Sequence, residues 1–276
     1  VLPPQPRSRR TGALGGPAGV GDHSEGLPSY SQDVPVHGRS RDRGARPHGS
    51  FAAMRLPQGP GRDGSLRRGH RAGALRGPPR AHKLREAGAG IIVLPILMSE
   101  TDRLGGDIEL AQALVDNGVV IAQAGTTSVN RNSVPRGIAK IGDPLPYMFE
   151  WPGMLGPIPL LGENADGVGV INTTPEIDGV VRRVPLLMRI GVDTYPALAV
   201  EVIRVSTGAP SYQVKEAGGG IEAIRVPGYP IIKTDPNGQI WLRWNKQFET
   251  ISAASDDMSA VTGRTVIIGA TAEGIG

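Results

Sequence analysis

The stretch GVGVINTTPEIDGVVRRVPLL, residues 167–187, organises the rest of this chain. Its first residues alternate Gly with Val and end on Ile171, which predicts a short buried strand. The TTPEIDG segment that follows predicts a turn, because Asp178 can bond its own backbone and Gly179 can take a positive φ. VVRRVPLLMRI predicts a second strand, and two strands joined by such a loop predict a β-hairpin. Pro185 places the second arm at an edge or a bulge.

Two adjacent arginines, Arg182 and Arg183, stand at the head of the second arm. Neighbouring side chains of a strand point to opposite faces, so we expect at most one of them to serve a given pocket. One is a candidate for binding an anionic ligand. The other is expected to pair with a carboxylate at the surface.

The segment before this stretch predicts alternating helices and strands. GIIVLPIL is a continuous apolar run that predicts a strand buried on both faces, with Pro95 at an edge or a bulge. A helix should follow, capped by Asp107 and stopped by Gly118, with an apolar face of Ile108, Leu110, Ala111, Leu114 and Val115. VVIAQA predicts the next strand, and this order favours parallel pairing.

A group of polar residues follows the GIIVLPIL strand. Glu100, Asp102, Arg103 and Asp107 lie where α/β folds bind ligands, beyond the carboxyl end of a strand. Two interpretations stay open for the carboxylates. They form a turn and cap the next helix, or they bind a cation or a polar ligand, with Asp102 and Arg103 as candidate ligand-binding residues.

Residues 125–165 are rich in turn formers and predict a long loop. DPLPYMFEWPGMLGPIPLLG holds five prolines, so no helix is expected there. Its aromatic and methionine side chains suit either a loop packed over the sheet edge or a ligand lid or partner surface.

The segment after residue 187 predicts one helix and then more strands. DTYPALAVEVIRVSTG should be a helix capped by Asp193 or Thr194, ended by Gly208, with Pro196 in its first turn. EAIRVPGYPIIKTDPNGQIWLRW predicts two or three antiparallel strands around a DPNG turn, and VIIGA a last strand. The predicted fold class is α/β, a mixed sheet with flanking helices and antiparallel hairpins.

The N-terminal third differs from the rest in composition. Residues 1–86 hold 16 Lys+Arg and 6 Asp+Glu and no Ile, Asn or Trp, whereas residues 87–276 are mildly acidic. Gly, Pro, Arg, Ser and His dominate residues 1–80 without helical or strand periodicity, which predicts disorder. Such a composition is also typical of GC-rich DNA translated out of frame. We therefore divide the chain into a low-complexity basic segment, 1–83, and a folded domain, 84–276, truncated at both ends.

Composition excludes several classes of chemistry. The chain has no Cys, and its five His all precede residue 87, so the predicted domain lacks thiol nucleophiles, disulfides and the usual general base. We predict no catalytic residues, no metal site and no cofactor. The basic segment lacks the interleaved aromatic residues of a nucleic-acid-binding arm, so no nucleic-acid partner is expected. No run of 18 apolar residues occurs.

DGVVRRVPLL, followed by YPALAVEVIR and closed by TVIIGATAEG, resembles the CHASE-type extracellular sensor family, variant two. The resemblance runs from about Leu84 to Gly276. It implies a sensor domain outside the membrane of a bacterial receptor that feeds an adenylate cyclase, a diguanylate cyclase or a kinase. It also implies a homodimer whose last strand leads toward the receptor's own membrane helices and cytoplasmic output domain.

Under the resemblance the domain is not an enzyme. It binds an unknown small ligand or a periplasmic partner, with Asp102, Arg103, Asp178, Arg182 and Arg183 as candidate binding residues. The first alternative is a free-standing periplasmic α/β enzyme or solute-binding protein. The second is a basic RNA-binding protein, which would rest on residues 1–82 alone.

Overall fold

The computed structural model describes residues 51–55, 80–244, 248–252, 255 and 257–269. All of these residues belong to one compact unit, Pro47–Gly276.

The described strands are short, as expected for a domain rich in Gly and Pro. They are β1 (Phe51–Arg55), β2 (Ile91–Leu97), β3 (Val119–Thr126), β4 (Ile138–Ile141), β5 (Phe149–Glu150), β6 (Gly153–Leu155), β7 (Gly167–Val170), β8 (Arg183–Pro185), β9 (Leu187–Ile190), β10 (Asp193–Pro196), β11 (Tyr212–Glu216), β12 (Ile221–Arg225), β13 (Ile232–Lys233), β14 (Gln239–Trp241), β15 (Glu249–Ser252) and β16 (Thr265–Gly269).

The helices are α1 (Arg80–Glu86), α2 (Asp107–Leu114), α3 (Pro159–Asn164) and α4 (Leu198–Thr207). Two 3-10 turns lie at Leu145–Tyr147 and Ser259–Val261. None of these helices is long and apolar enough to cross a membrane.

The central sheet is mainly parallel. Strands β15, β1, β16, β2, β3 and β7 lie side by side in that order, and each of these pairs is parallel. The short β6 pairs antiparallel with the last residues of β3, so the sheet is mixed, as predicted. The β2–β3 register shifts between Leu94 and Leu97. This confirms a bulge at Pro95, which has no N–H to donate to a neighbouring strand.

The two faces of the central sheet carry different helices. On one face, Ile92 and Leu94 pack with buried side chains of α1, α2 and α3. On the other, Ile91 and Val93 pack against Val202 of α4. Because successive side chains of a strand point to opposite faces, the apolar run of β2 fills both layers, as predicted.

Two glycines of β7 make room for α4. A Cβ on Gly167 would lie 2.7 Å from Oε1 of Glu201, and one on Gly169 would lie 2.5 Å from Cα of Leu198. Residues two apart in a strand share a face. The Gly–Val alternation therefore leaves a strip of bare backbone on which the helix rests.

The remaining strands form smaller sheets beside the central one. Strands β13–β12–β11–β4 make a four-stranded sheet, β10–β9–β5 a three-stranded sheet, and β14–β8 a two-stranded ribbon. Tyr212, Val214 and Ile224 of the four-stranded sheet share a buried cluster with Leu187 and Val200.

The predicted β-hairpin across residues 167–190 is wrong. Strand β7 pairs with β3, while the second arm splits into β8 and β9, which pair with β14 and β10. Strand β7 pairs with β3 because this position buries its side chains and backbone between β3 and α4. The local turn around Gly179 does not set the pairing. The turn itself is confirmed: Gly179 has a φ of 80°, and its N–H donates to the carbonyl of Glu176 at 2.9 Å. Pro185 ends β8 within the two-stranded ribbon, which confirms the edge position.

Several element boundaries differ from the predictions. Asp193 and Thr194 lie in β10 rather than capping the helix, Pro196 ends that strand, and Ala197 is the N-cap of α4. Gly208, with a φ of 65°, ends α4 as predicted.

The predicted apolar face of the preceding helix is only partly right. Leu110, Ala111 and Leu114 are buried, but Ile108 and Val115 are exposed. The N-cap of α2 is Gly106 rather than Asp107.

The segment 125–165 is more regular than predicted. It contains β4, β5, β6 and the short α3. Helix α3 begins at Pro159, and a proline is tolerated there because an N–H at the first helical position has no partner within the helix. Trp151 and Met154 are buried, so the segment packs over the edge of the sheet.

The structure describes little of the N-terminal third. Phe51–Arg55 forms β1 between β15 and β16, so these residues differ from the prediction of no strand in residues 1–80. Pairing with two distant strands, rather than local periodicity, makes this segment a strand. The rest of the segment predicted to be disordered or out of frame, residues 1–50 and 56–79, lies outside the described residues.

Candidate functional site

The five predicted ligand-binding residues lie in two loops. Asp102 and Arg103 follow β2, while Asp178 and Arg182 lie in the loop after β7 and Arg183 opens β8. Because β2 and β7 run in the same direction as β3 between them, both loops begin at the carboxyl edge of the central sheet. Ligands bind at this edge in many open α/β sheets.

Asp102 organises its own turn. Its Oδ1 accepts the N–H of Leu104 at 3.2 Å and its Oδ2 accepts that of Gly106 at 3.1 Å. Oδ2 of Asp107 in turn accepts the N–H of Asp102 at 2.8 Å. These hydrogen bonds give Asp102 the predicted turn-forming role. The side chain of Arg103 is exposed beside them. In the part of the chain that the structure describes, no group of three or more His, Cys, Asp or Glu could hold a metal ion.

Asp178 and Arg182 form a two-point ion pair across the turn after β7. Nη1 and Nη2 of Arg182 donate to Oδ1 and Oδ2 of Asp178 at 2.9 and 2.7 Å. Oδ1 also accepts the N–H of Val180 at 3.1 Å. The bonds from Arg182, and then from Val180, hold the pKa of Asp178 at about 2, below its usual 3.8. Asp178 in turn raises the pKa of Arg182.

Arg183 is held by two carboxylates and an aromatic ring. Its Nε donates to Oε1 of Glu176 at 3.0 Å, its Nη1 lies 3.8 Å from Oδ2 of Asp235, and its guanidinium lies 5.4 Å from the ring centre of Trp241. Nη1 of Arg182 reaches the other oxygen of Glu176 at 3.4 Å. Both arginines therefore bind the same carboxylate, that of Glu176. The prediction that they serve opposite faces is wrong, because Arg182 precedes the first residue of β8.

We expect an NMR titration of the Asp178 carboxyl carbon to give a pKa of about 2, and the Arg182→Gln variant to return it toward 3.8. The folded-state pKa is depressed, so the stability that this pair contributes is present above the usual pKa and is lost as the pH falls through about 2. Asp257 is the internal control, because Ser259 rather than Arg182 lowers its pKa. An Asp178 pKa near 3.8 in the wild-type protein would contradict the ion pair.

Sequence reasoning missed a buried ionic cluster centred on α4. Glu201 is 0% exposed and Arg204 8% exposed. Nε and Nη2 of Arg204 donate to Oε2 and Oε1 of Glu201 at 2.9 and 2.8 Å, and the hydroxyl of Tyr212 in β11 donates to Oε2. Nη2 of Arg136 approaches Oε1 at 3.4 Å. We call these four side chains the Glu201 cluster.

Burial and the Glu201 carboxylate together shift the pKa of two members of this cluster, Tyr212 and Arg204. Burial, and then the charge of Glu201, raises the pKa of Tyr212 far above its usual value, so its hydroxyl remains a hydrogen-bond donor. Burial alone would lower the pKa of Arg204, but its hydrogen bond to Glu201 and the charge of that carboxylate outweigh the effect and raise it. Tyr212 and the two guanidiniums thus all face Glu201 as hydrogen-bond donors.

The Glu201 cluster joins the central sheet to the smaller sheets. Nη2 of Arg204 donates to the carbonyl of Asp166, just before β7, at 2.7 Å, and Nη1 donates to the carbonyl of Ala209 at 3.0 Å. The backbone N–H of Arg136 donates to the carbonyl of Thr194 in β10 at 2.8 Å. Through Arg204, Arg136 and Tyr212, one carboxylate on α4 is therefore linked by hydrogen bonds to β7, β10 and β11.

Two side-chain amides extend the strands at the carboxyl edge. Gln123 is 0% exposed, and its amide exchanges two hydrogen bonds, both of 3.1 Å, with the backbone of Val134. Asn172 likewise exchanges two hydrogen bonds, both of 2.8 Å, with the backbone of Gly125. Each amide bonds a backbone N–H and C=O as a neighbouring strand would, so the two residues hold the loops after β3 and β7 against the sheet.

Comparison with known families matches the CHASE2 domain model over residues 81–276. Searches of curated proteins and of solved structures give no significant match. The matched range confirms the resemblance that runs from about Leu84 to Gly276, and it covers every described element after α1.

Proposed function

This chain belongs to the CHASE2 domain family of extracellular sensor domains, and from that membership we propose that it is the extracytoplasmic sensor of a bacterial transmembrane receptor. The output module of the receptor is an adenylate or guanylate cyclase or a kinase. The domain itself senses rather than catalyses. Its input is a small ligand or a periplasmic partner that prefers one of two arrangements of the domain.

The observation that carries this proposal is the shared edge of the central sheet. The loops after β2 and β7 begin there, and so does the chain that leaves β16 at Gly269, because all three strands run in the same direction. Ligand binding at these loops would act next to the point where the chain leaves the sheet. In this family that exit leads toward the membrane helices.

The chemistry of the loops suggests how a ligand would act. The guanidiniums of Arg182 and Arg183 are bound by carboxylates that are themselves 21 to 48% exposed, so an anionic ligand could take the place of Glu176 or Asp178. Such an exchange would free the turn after β7. Asn172 connects this turn to β3, so the displacement would reach the centre of the sheet.

Reporter fusions in the parent gene test the location. Alkaline phosphatase inserted after Gly276 should be active, because that enzyme matures only outside the cytoplasm. A green fluorescent protein inserted at the same position should stay dark. Bright fluorescence without phosphatase activity would overturn the proposal.

We expect Arg183→Ala to abolish the ligand response of the full receptor while changing the free energy of unfolding of this domain by only about 0–1 kcal/mol. The small change is expected because the side chain is 38% exposed and its ion pairs are at the surface. Output activity in cells and urea unfolding of the domain are the two measurements.

Lys215→Ala is the matched control, since it removes an exposed ion pair, with Glu222, on another sheet. An unchanged response in Arg183→Ala would exclude this residue from the ligand site. A loss of several kcal/mol would show a structural role in place of a sensory one.

A further inference from the structure

Exposed apolar side chains lie on three neighbouring loops at the carboxyl edge of the central sheet. These loops follow β2, β3 and β7, which lie side by side and run in the same direction. The side chains are 39 to 109% exposed, and we call them the loop-tip surface: Leu104, Val129, Ile171, Ile177 and Val180. Adjacent strands are about 4.8 Å apart, so the three loops leave the sheet within about 10 Å of one another. Apolar side chains gathered in this way in solvent mark a contact site.

The backbone of these loops is already hydrogen-bonded where the apolar residues are exposed. In each loop an Asp or a Thr side chain accepts the N–H of an apolar residue two or three positions later. The pairs are Asp102 with Leu104 at 3.2 Å, Thr126 with Val129 at 3.0 Å and Asp178 with Val180 at 3.1 Å. An unpaired N–H opposes the transfer of a loop out of water. These tips can therefore enter an apolar medium without losing a backbone hydrogen bond.

The position of the loop-tip surface identifies its occupant. Strand β16 lies beside β2 and runs parallel to it, so the chain leaves the sheet at Gly269 on the same edge, one strand away from the loop that carries Leu104. In the proposed receptor the chain continues from this edge toward the membrane, and the inference rests on that proposed function. The loops of this edge then face the bilayer.

The arrangement of the side chains suits a lipid surface better than a protein partner. They lie at the tips of separate loops, and a fluid layer of headgroups accommodates separate tips, whereas a protein partner requires a continuous complementary surface. Trp244 lies beside the third loop, because its Nε1 donates to the carbonyl of Val181 at 3.1 Å, and it is 76% exposed. Tryptophan is enriched where membrane and water meet.

We propose that the loop-tip surface rests on the outer face of the lipid bilayer, with its apolar side chains inserted among the headgroups. Asp178 and Arg182 pair with each other in the third loop, so the apolar side chains rather than a net charge carry the binding. Because Arg182 and Arg183 follow Val180 within three residues, the candidate ligand site lies at the membrane surface.

Co-sedimentation of the full chain with phosphatidylcholine vesicles tests this contact. Neutral lipid and about 0.5 M NaCl suppress any attraction of the basic residues 1–86 to the vesicles. The wild-type chain should bind, and Ile177→Glu should lower its partition coefficient about tenfold or more, because it replaces an inserted apolar side chain by a charge.

Val115→Glu is the matched control for this measurement. Val115 is 43% exposed at the end of α2, at the opposite edge of the sheet, from which β3 starts, so its replacement should leave binding unchanged. Thermal unfolding of each variant checks that the fold is retained. A wild-type chain that does not bind, or equal partition coefficients for the wild type and Ile177→Glu, would overturn the proposal.

Tryptophan fluorescence offers a test of which residues meet the lipid. The chain has three tryptophans, of which Trp151 is buried while Trp241 and Trp244 are exposed. Vesicles with brominated acyl chains should quench the emission of the Trp241→Phe variant, and adding Trp244→Phe should abolish most of that quenching. No quenching, or quenching that Trp244→Phe does not reduce, would contradict the proposed orientation.

The reporter fusions after Gly276 separate this inference from the function on which it rests. An active phosphatase fusion together with no binding to vesicles would overturn the membrane contact alone. A fluorescent fusion without phosphatase activity would overturn both the contact and the proposed receptor.

Discussion

Replacing Glu201 by alanine is expected to lower the free energy of unfolding by about 3–5 kcal/mol, because it leaves the guanidinium of Arg204 buried without its counter-charge. Tyr212 also loses its acceptor, and a buried donor without a partner adds to the loss. Equilibrium unfolding in urea, monitored by tryptophan fluorescence, gives the value.

Two further variants separate the ion pair from mere packing. Glu222→Ala removes a carboxylate whose partner is Lys215 at the surface, so it should change stability by no more than about 1 kcal/mol. Adding Arg204→Met to Glu201→Ala should recover part of the loss, because the uncompensated charge is then removed as well. A loss below about 1 kcal/mol for Glu201→Ala would mean that water reaches the pair, which contradicts the buried cluster.

The second large effect is expected for Gly169→Ala, with a loss of about 3 kcal/mol. The added Cβ would lie 2.5 Å from Cα and 2.9 Å from N of Leu198, and these are backbone atoms that cannot rotate away. Helix α4 would have to move off β7, and overpacking of this kind usually costs about 1–3 kcal/mol and occasionally more.

Gly137→Ala is the matched control for this helix contact, since a Cβ at Gly137 meets no atom within 4 Å. It should change stability by less than about 0.5 kcal/mol. Hydrogen exchange of the α4 amides offers an independent measurement and should quicken in Gly169→Ala alone. An unchanged melting temperature for Gly169→Ala would mean that α4 does not rest on β7 as described.

The sequence predicted correctly the strands that are buried on both faces of the central sheet. The runs that form β2 and β3 are apolar and largely buried, and the order of helices and strands around them predicted their parallel pairing. The hairpin prediction failed because the partner of a strand is a long-range choice. Turn chemistry around Gly179 reports a bend in the chain, and that bend leads β8 to β14 rather than back to β7.

The sequence predicted only those residues of the candidate site that are close together along the chain. Asp178, Arg182 and Arg183 could be found because they are close in sequence and at the head of a predicted strand. Arg136 and Tyr212 of the Glu201 cluster lie far from Glu201 in sequence, so spacing gave no sign of them. One signal was present: Glu201 and Arg204 are three residues apart on one helix, and Glu201 lies between Leu198 and Val205 on its apolar face.

The position of β16 has a consequence for how the protein is made. This strand lies between β1 and β2, yet it is the last described strand to leave the ribosome. Until residue 269 has been synthesised, β1 and β2 have no shared neighbour, so the sheet cannot close around its core. Contacts between such distant segments form slowly. The central sheet of the nascent domain therefore stays incomplete until β16 has left the ribosome.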